Sequence, residues 1–333
     1  MRKLKAPLLI CIVCAAPILL FLYFNSPLHS PGESHSFTVN KGESVRSIAN
    51  KLRAEGFIRS SHFFLSLTRI TGKARLIKSG QYDLEGGLRN TQILHVLSKG
   101  IVATVKFTIP EGYTMRKIGD YLEEMRITTS ENFIEACYET AILNKYQIPF
   151  ENAEGFLFPD TYIVAKDLSA GQLVEIMIER FFVNLYGITD SKKSAEELKK
   201  VVIIASLVEK EAQIDEEREL IAAVFYNRLN NGKRLESCAS IQYILGETKK
   251  RLLYSDLKID SPYNTYLHSG LPPGPIANMG YKSLFAALHP AQVDYLFFVS
   301  KRDGSHHFSS TYKEHLRAID RYNQTGSITH QLS

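Results

Sequence analysis

Glu209 stands at the end of an apolar run, Val201-Val202-Ile203-Ile204-Ala205-Ser206-Leu207-Val208, that contains neither glycine nor proline. Good helix formers, Ala195-Glu196-Glu197-Leu198-Lys199-Lys200, lead into it, so the pattern predicts one helix from about Ser194 to Ala212. Its middle is apolar on every face, as in a helix at the centre of a domain. At 3.6 residues per turn, Glu209 shares a face with Val202 and Ala205, whereas Glu211 points elsewhere. A carboxylate on an apolar face is costly unless it is protonated or paired, and such burial keeps the general acid of a sugar-cleaving enzyme near neutral pH. The alternative is that Glu209, Lys210 and Glu211 only begin the polar end of a buried helix.

Other chemistry-bearing residues fall in segments that break periodicity. Glu154-Gly155-Phe156-Leu157-Phe158-Pro159-Asp160-Thr161-Tyr162 is a loop with acids among aromatics, a composition that suits a sugar site as well as a core. Ser261-Pro262-Tyr263-Asn264-Thr265-Tyr266 and Gly270-Leu271-Pro272-Pro273-Gly274-Pro275-Ile276-Ala277 hold backbone groups and tyrosines in a fixed shape, as binding loops do. Asn227 falls on the Leu220 and Val224 face of a helix opened by Asp215 and closed by Gly232, and should point inward. A short helix, Ser237 to Leu245, carries Gln242 and Tyr243. His306, His307 and His315 lack the acidic or cysteine partners of a recognisable metal pattern.

The elements that position these residues follow along the chain. Residues 6–24 are uncharged and almost wholly apolar behind Arg2, Lys3 and Lys5, the length of a bilayer-spanning helix. No small-x-small cleavage site follows, so an uncleaved anchor with a cytoplasmic N-terminus is expected, then a linker over 25–36. Phe37-Thr38-Val39-Asn40-Lys41-Gly42-Glu43-Ser44-Val45-Arg46-Ser47-Ile48 recurs seventy residues later as Phe107-Thr108-Ile109-Pro110-Glu111-Gly112-Tyr113-Thr114-Met115-Arg116-Lys117-Ile118. Each copy reads as a strand, a glycine turn and a helix capped by Ser44 or Thr114. Such units resemble the LysM modules that bind N-acetylglucosamine-containing glycans; they could equally be spacers. One helix is expected over Glu131 to Tyr146 and another over Gly171 to Tyr186, and the tail reads as strand Tyr295 to Val299, strand His306 to Ser309 and a helix opened by Thr311.

A chain of 333 residues can hold one large core or two to three small ones. Of the net charge of +5, Arg2, Lys3 and Lys5 account for three, and the rest is too little for a nucleic-acid footprint. Cys11 and Cys14 lie in the apolar run, which leaves Cys137 and Cys238 for one long-range disulfide that nothing in the pattern supports.

Together, Ala205-Ser206-Leu207-Val208-Glu209-Lys210-Glu211, the loop from Glu154 to Tyr162, Phe225-Tyr226-Asn227-Arg228-Leu229, Tyr263-Asn264-Thr265-Tyr266, the Gly270 to Ile276 loop, His289-Pro290-Ala291 and His307-Phe308-Ser309 resemble the MltG (YceG-like) endolytic murein transglycosylases. The family's usual Asp is Cys238 in Leu235-Glu236-Ser237-Cys238-Ala239, so Cys238 receives no role. The resemblance implies an α+β protein in four parts: a transmembrane anchor over 6–24, the linker, a LysM-like region over 37–148 and a catalytic domain over 149–328 around a buried central helix. It also implies a single-pass protein of the bacterial inner membrane, with the catalytic domain on the periplasmic or extracytoplasmic side.

Its implied reaction cleaves peptidoglycan glycan strands between N-acetylmuramic acid and N-acetylglucosamine, leaving 1,6-anhydro-muramoyl ends in cell-wall assembly. Glu209 would protonate the leaving oxygen and then, as carboxylate, take the proton of the sugar's C6 hydroxyl as that oxygen attacks the anomeric carbon. Glu154, Asn227, Gln242, Tyr263, Asn264 and Tyr266 are the candidates for holding the glycan, and no metal or cofactor is required. Expected partners are the glycan strands, the membrane and cell-wall synthesis proteins. Two rivals remain: a lysozyme-type hydrolase using water with Glu211 or Asp160 as second carboxylate, and a membrane-tethered glycan-binding scaffold.

Overall fold

The computed structural model describes residues 5–28, 34–247, 249 and 252–323, with backbone alone for 5–14 and 323. It is a mixed α+β chain whose packing divides it into two units. The first comprises residues 1–106 and 163–168, the second 107–162 and 169–333.

In the first unit, helix α1 (Lys5–Asn25) ends on Asn25, whose Oδ1 accepts the Thr91 N–H. Strand β1 (Ser34–Val39) follows, then α2 (Val45–Ala54), α3 (Ser61–Ile70), β2 (Gly80–Glu85) and α4 (Asn90–Lys99). β1 and β2 pair antiparallel from Ser34↔Glu85 to Val39↔Gly80. The alternate residues Phe37, Val39, Tyr82 and Leu84 are buried against Ile48, Leu52, Phe64, Ile93 and Leu97, which is the core of this unit. The expected linker over 25–36 is shortened at both ends, because Asn25 belongs to α1 and Ser34–Ser36 to β1; residues 29–33 lie outside the described part. Side chains of the expected anchor are described only from residue 15, and among the described residues no helix is long and apolar enough to cross a membrane.

The chain changes unit within β3 (Thr104–Thr108) and again within its partner β4 (Thr161–Ala165). In order, the second unit contains α5 (Met115–Glu124), α6 (Ser130–Cys137), α7 (Thr140–Lys145), α8 (Ala170–Ile188), α9 (Ala195–Glu211), α10 (Arg218–Asn230), α11 (Cys238–Leu245), α12 (Tyr281–Leu288), the hairpin β5 (Phe297–Ser300) and β6 (His306–Ser309), and α13 (Tyr312–Asn323). Ser194 and Glu197 close a capping box at the start of α9, and every residue from Val201 to Val208 is buried. α10, α11 and α12 all pack on α9, which is the central helix expected from its all-round apolar middle.

Both copies of the repeat take the expected form. Gly42 and Gly112 turn with φ of +79° and +74°, and Ser44 and Thr114 cap α2 and α5 by accepting the Ser47 and Lys117 N–H groups. Their placement differs from the expected domains, since packing divides the chain at residue 107 rather than near 148. The second copy belongs with α9 because its turn bonds to residues around Glu154 and Asn278. The single helix expected over Glu131 to Tyr146 is two, α6 and α7, separated by Tyr138 and Glu139. Cys137 and Cys238 are free thiols, and both are pushed up by burial.

Candidate active site

Three irregular segments meet over the C-terminal end of α9, and one buried amide holds them together. Asn278, fully buried, accepts the Leu157 N–H at 2.9 Å through Oδ1. Its Nδ2 donates to Tyr113 O at 3.0 Å and to Oε1 of Glu154 at 2.8 Å, and its backbone accepts the Gly112 N–H. The turn at 110–115, the loop at 154–157 and the loop ending at Gly280 are thus fixed to one another. α9 grips the last of these through Ser206, whose Oγ accepts the Ile276 N–H at 3.1 Å. Gly155 is required by the same packing: with φ of +83°, a β-carbon there would come 2.5 Å from Pro275 Cγ and 2.8 Å from Val202 Cγ1.

Glu209 lies beneath this junction with its side chain 7% exposed. The Gly280 N–H donates to its Oε2 at 3.2 Å, and Nη1 of Arg218 is 3.5 Å from the same oxygen. Arg218 is itself held by Ser283 Oγ at 2.5 Å and by Asp215 at 2.9 Å. Burial raises the proton affinity of Glu209 and the charge of Glu111 adds to it, against the opposing pull of Ser283, Arg218 and the Gly280 N–H. A partly desolvated carboxyl balanced in this way can donate a proton and then take one back.

Beside it opens a cleft of about 780 Å³. Gly112 and Lys210 line the cleft, and a β-carbon on Gly112 would stand 3.8 Å from Glu209 Cγ, so Glu209 adjoins the cleft at that turn. Arg116, Lys117 and Asp120 of α5 contribute further lining, as do Gln242 and Tyr243 of α11 with Tyr263. The Tyr243 and Tyr263 rings are 5.0 Å apart. Glu154 is 2% exposed; both its oxygens accept the Met115 N–H, at 3.0 and 3.1 Å, and burial pushes its carboxyl up to about 8.

Of the residues proposed from sequence to hold glycan, the structure therefore brings Glu154, Gln242 and Tyr263 to the cleft. The other three do not line it: Asn227 and Asn264 face backbone carbonyls, and Tyr266 faces the Cys238 side chain. Asn227 donates to Val293 O and Tyr295 O at 2.8 and 3.0 Å, and Asn264, fully buried, donates to Leu257 O and Ile259 O. The Tyr266 hydroxyl is 3.1 Å from Cys238 Sγ. Glu211 accepts from Ser237 Oγ at 2.5 Å and from the Ala239 N–H, so it serves the start of α11 on a different face of α9 from Glu209. Asp160 pairs with Arg180 at 2.7 Å. His306 bonds to Glu217 at 2.7 Å and His315 stacks on Phe297; among the described residues no cluster of His, Cys, Asp and Glu could hold a metal.

Sequence reasoning missed Glu111, Arg218, Asn278, Gly280 and Ser283 around Glu209. Arg218 had only its place behind Asp215-Glu216-Glu217 as a signal, which reads as a charged helix start. The others lie in or beside the two turn segments whose importance was legible but whose contacts were not.

The YceG-like family matches residues 37–321. A protein of Bacillus subtilis (strain 168) named endolytic murein transglycosylase is 34% identical to this chain, over 91% of this chain and 89% of that one. A protein of the same name from Streptococcus pneumoniae (strain D39) is 29% identical over 84% of this chain, which spans 57% of its length. A crystal structure of a yceG-like protein from Listeria monocytogenes superposes with a TM-score of 0.58 at 32% identity, covering 86% of this chain and 98% of that one. With the match running from β1 into α13, this chain belongs to the YceG-like family.

Proposed function

We propose that this protein is an endolytic murein transglycosylase that cleaves peptidoglycan glycan strands between N-acetylmuramic acid and N-acetylglucosamine. The observation that carries the reading is Glu209: a buried carboxyl of raised proton affinity beside a large cleft, with Arg218 and the Gly280 N–H aimed at one of its oxygens. As an acid, Glu209 protonates the glycosidic oxygen that leaves; as a carboxylate held by Arg218 and Gly280, it then accepts the proton of the C6 hydroxyl. That oxygen closes on the anomeric carbon to give a 1,6-anhydro-muramoyl end. The names of the Bacillus and Streptococcus relatives support the substrate class. A glycan-binding scaffold has no use for a carboxyl kept in this state.

Tyr243 and Tyr263 provide apolar ring faces for sugars, and Gln242 beside them provides an amide. Glu154 shapes the floor between them and α5. Hydrolysis is the second reading, because Glu111 is an acid whose charge acts on Glu209 whereas Glu211 and Asp160 are engaged elsewhere.

α1 is the membrane anchor in this reading, with the cleft outside the cytoplasm. Ile18 to Tyr23 support it, being consecutive large apolar side chains left 43% to 64% exposed. The first repeat copy gives the first unit an open groove beside Gly42, a place for glycan contact. Glu209→Gln tests the catalytic core of the proposal: release of glycan from purified peptidoglycan should fall by about 10²–10⁴-fold while binding persists. Wild-type release by that variant would end it.

A further inference from the structure

The cleft carries positive side chains that form no ion pair among the described residues. Arg116 and Lys117 in the first turn of α5 and Lys210 at the end of α9 all line it, and all are exposed. Among the described residues none of the three makes an ion pair, and the hydrogen bond of Lys210 Nζ goes to a neutral carbonyl, Gly112 O at 3.3 Å. Acids in the lining are engaged or lie elsewhere. Glu154 is buried with both oxygens taken, Asp120 accepts from Ser130 Oγ at 2.8 Å, and Glu247 follows the far end of α11.

Lys210 is crowded by Lys117. Its ammonium is depressed from the usual lysine range, first by burial and next by the like charge of Lys117. Glu209 and Glu211 pull in the other direction without pairing. Two cations held near each other in a cleft, and left unpaired, repel until an anion sits between them. The aromatic pair Tyr243 and Tyr263 and the neutral Gln242 suit the uncharged parts of a sugar strand. A strand that places a carboxylate near the bond broken by Glu209 fits the remainder.

We propose that Arg116, Lys117 and Lys210 form a carboxylate subsite beside Glu209, which holds the acidic substituent of the muramoyl residue and so selects muramoyl-containing strands over neutral ones. The inference rests on the glycan-cleaving reading above. Its ligand is a carboxylate, and a murein strand offers two sources: the lactyl group itself where the peptide is absent, and the acidic side chains and terminus of the stem peptide where it is present.

The full chain carrying Glu209→Gln, in which cleavage should be slowed by about 10²–10⁴-fold while binding persists, is compared with the same chain also carrying Lys117→Gln and Lys210→Gln. Affinity is measured for peptide-bearing strands, for strands stripped of peptide and for chitin oligomers of equal length, which carry no carboxylate. The added pair of substitutions should weaken at least one of the two murein ligands by about tenfold or more, the scale of a hydrogen bond to a charged group, and leave the chitin oligomers unchanged. Loss confined to peptide-bearing strands identifies the stem as the source, and loss on stripped strands identifies the lactyl group. An equal change on all three ligands, or none on any, overturns the subsite. Cleavage of murein by the wild-type chain is scored separately, so failure of the transglycosylase reading is distinguishable from failure of the subsite.

Discussion

The carboxylate of Glu111 lies against the α-carbon of Gly280: a β-carbon added there would come 1.7 Å from Glu111 Oε1. Gly280 has an ordinary φ of −78°, so alanine is compatible with the backbone, and the atoms it would displace are the end of a flexible side chain. Because the Gly280 N–H donates to Glu209, this one residue touches both acids.

Glu111 is one of the causes that raise the proton affinity of Glu209, behind burial. Arg218 opposes it, Lys282 lies near Glu111 and pairs with Asp215, and Lys210 faces Glu209 from its own helix. Glu111→Gln should therefore let Glu209 lose its proton more readily, moving the alkaline limb of the cleavage rate to lower pH. Gly280→Ala, by pushing Glu111 away, should move it in the same direction, and the double variant should go no further than the larger single effect. A pH–rate series on the three variants decides; additive shifts, or a limb that moves upward, would contradict the linkage.

Glu154 makes stability depend on pH with a definite sign. Its carboxyl is raised from 4.5 to about 8 by burial, so the folded state holds a proton that the unfolded chain has released. The contribution is fully present below about pH 4.5 and is lost as pH rises through about 8, at up to roughly 1.4 kcal/mol per pH unit. Glu154→Gln keeps an acceptor for Met115 and Asn278 but does not titrate. Its urea midpoint, compared with the wild type, should improve steadily between pH 5 and pH 8. A constant difference across that range would show that the carboxyl is ionised in the fold.

Topology gives an independent check. With Arg2, Lys3 and Lys5 before the apolar helix, a reporter fused after Ser333 should be active outside the cytoplasm, and the protein should stay with the membrane with its N-terminus intact. A soluble mature form beginning near Ser26 would contradict the anchor.

What could be read from sequence was whatever a single element determines. α9 was legible because its capping residue, its unbroken apolar run and its two terminal acids are consecutive, and Glu209 and Glu211 separate onto different faces by helical geometry alone. The repeat was legible because Gly42 and Gly112 meet the same local need for positive φ. Its second copy still joined the other unit, because Tyr113, Glu154 and Asn278 meet across 165 residues of sequence. Polar residues in the motif segments were harder. Asn227 and Asn264 satisfy carbonyls of neighbouring loops, while Gln242 lines the cleft, and nothing in an isolated sequence distinguishes an amide facing backbone from one facing ligand.

The most direct measurement is the mass of the new chain ends that the wild-type protein makes from purified peptidoglycan. If Glu209 serves first as acid and then as base toward the C6 hydroxyl, every new muramoyl end is a 1,6-anhydro sugar, one water lighter than a reducing end, and Glu209→Gln produces about 10²–10⁴-fold fewer of them. Reducing ends in their place would mean that water is the nucleophile, that a second carboxylate such as Glu111 takes part, and that the transglycosylase account is wrong.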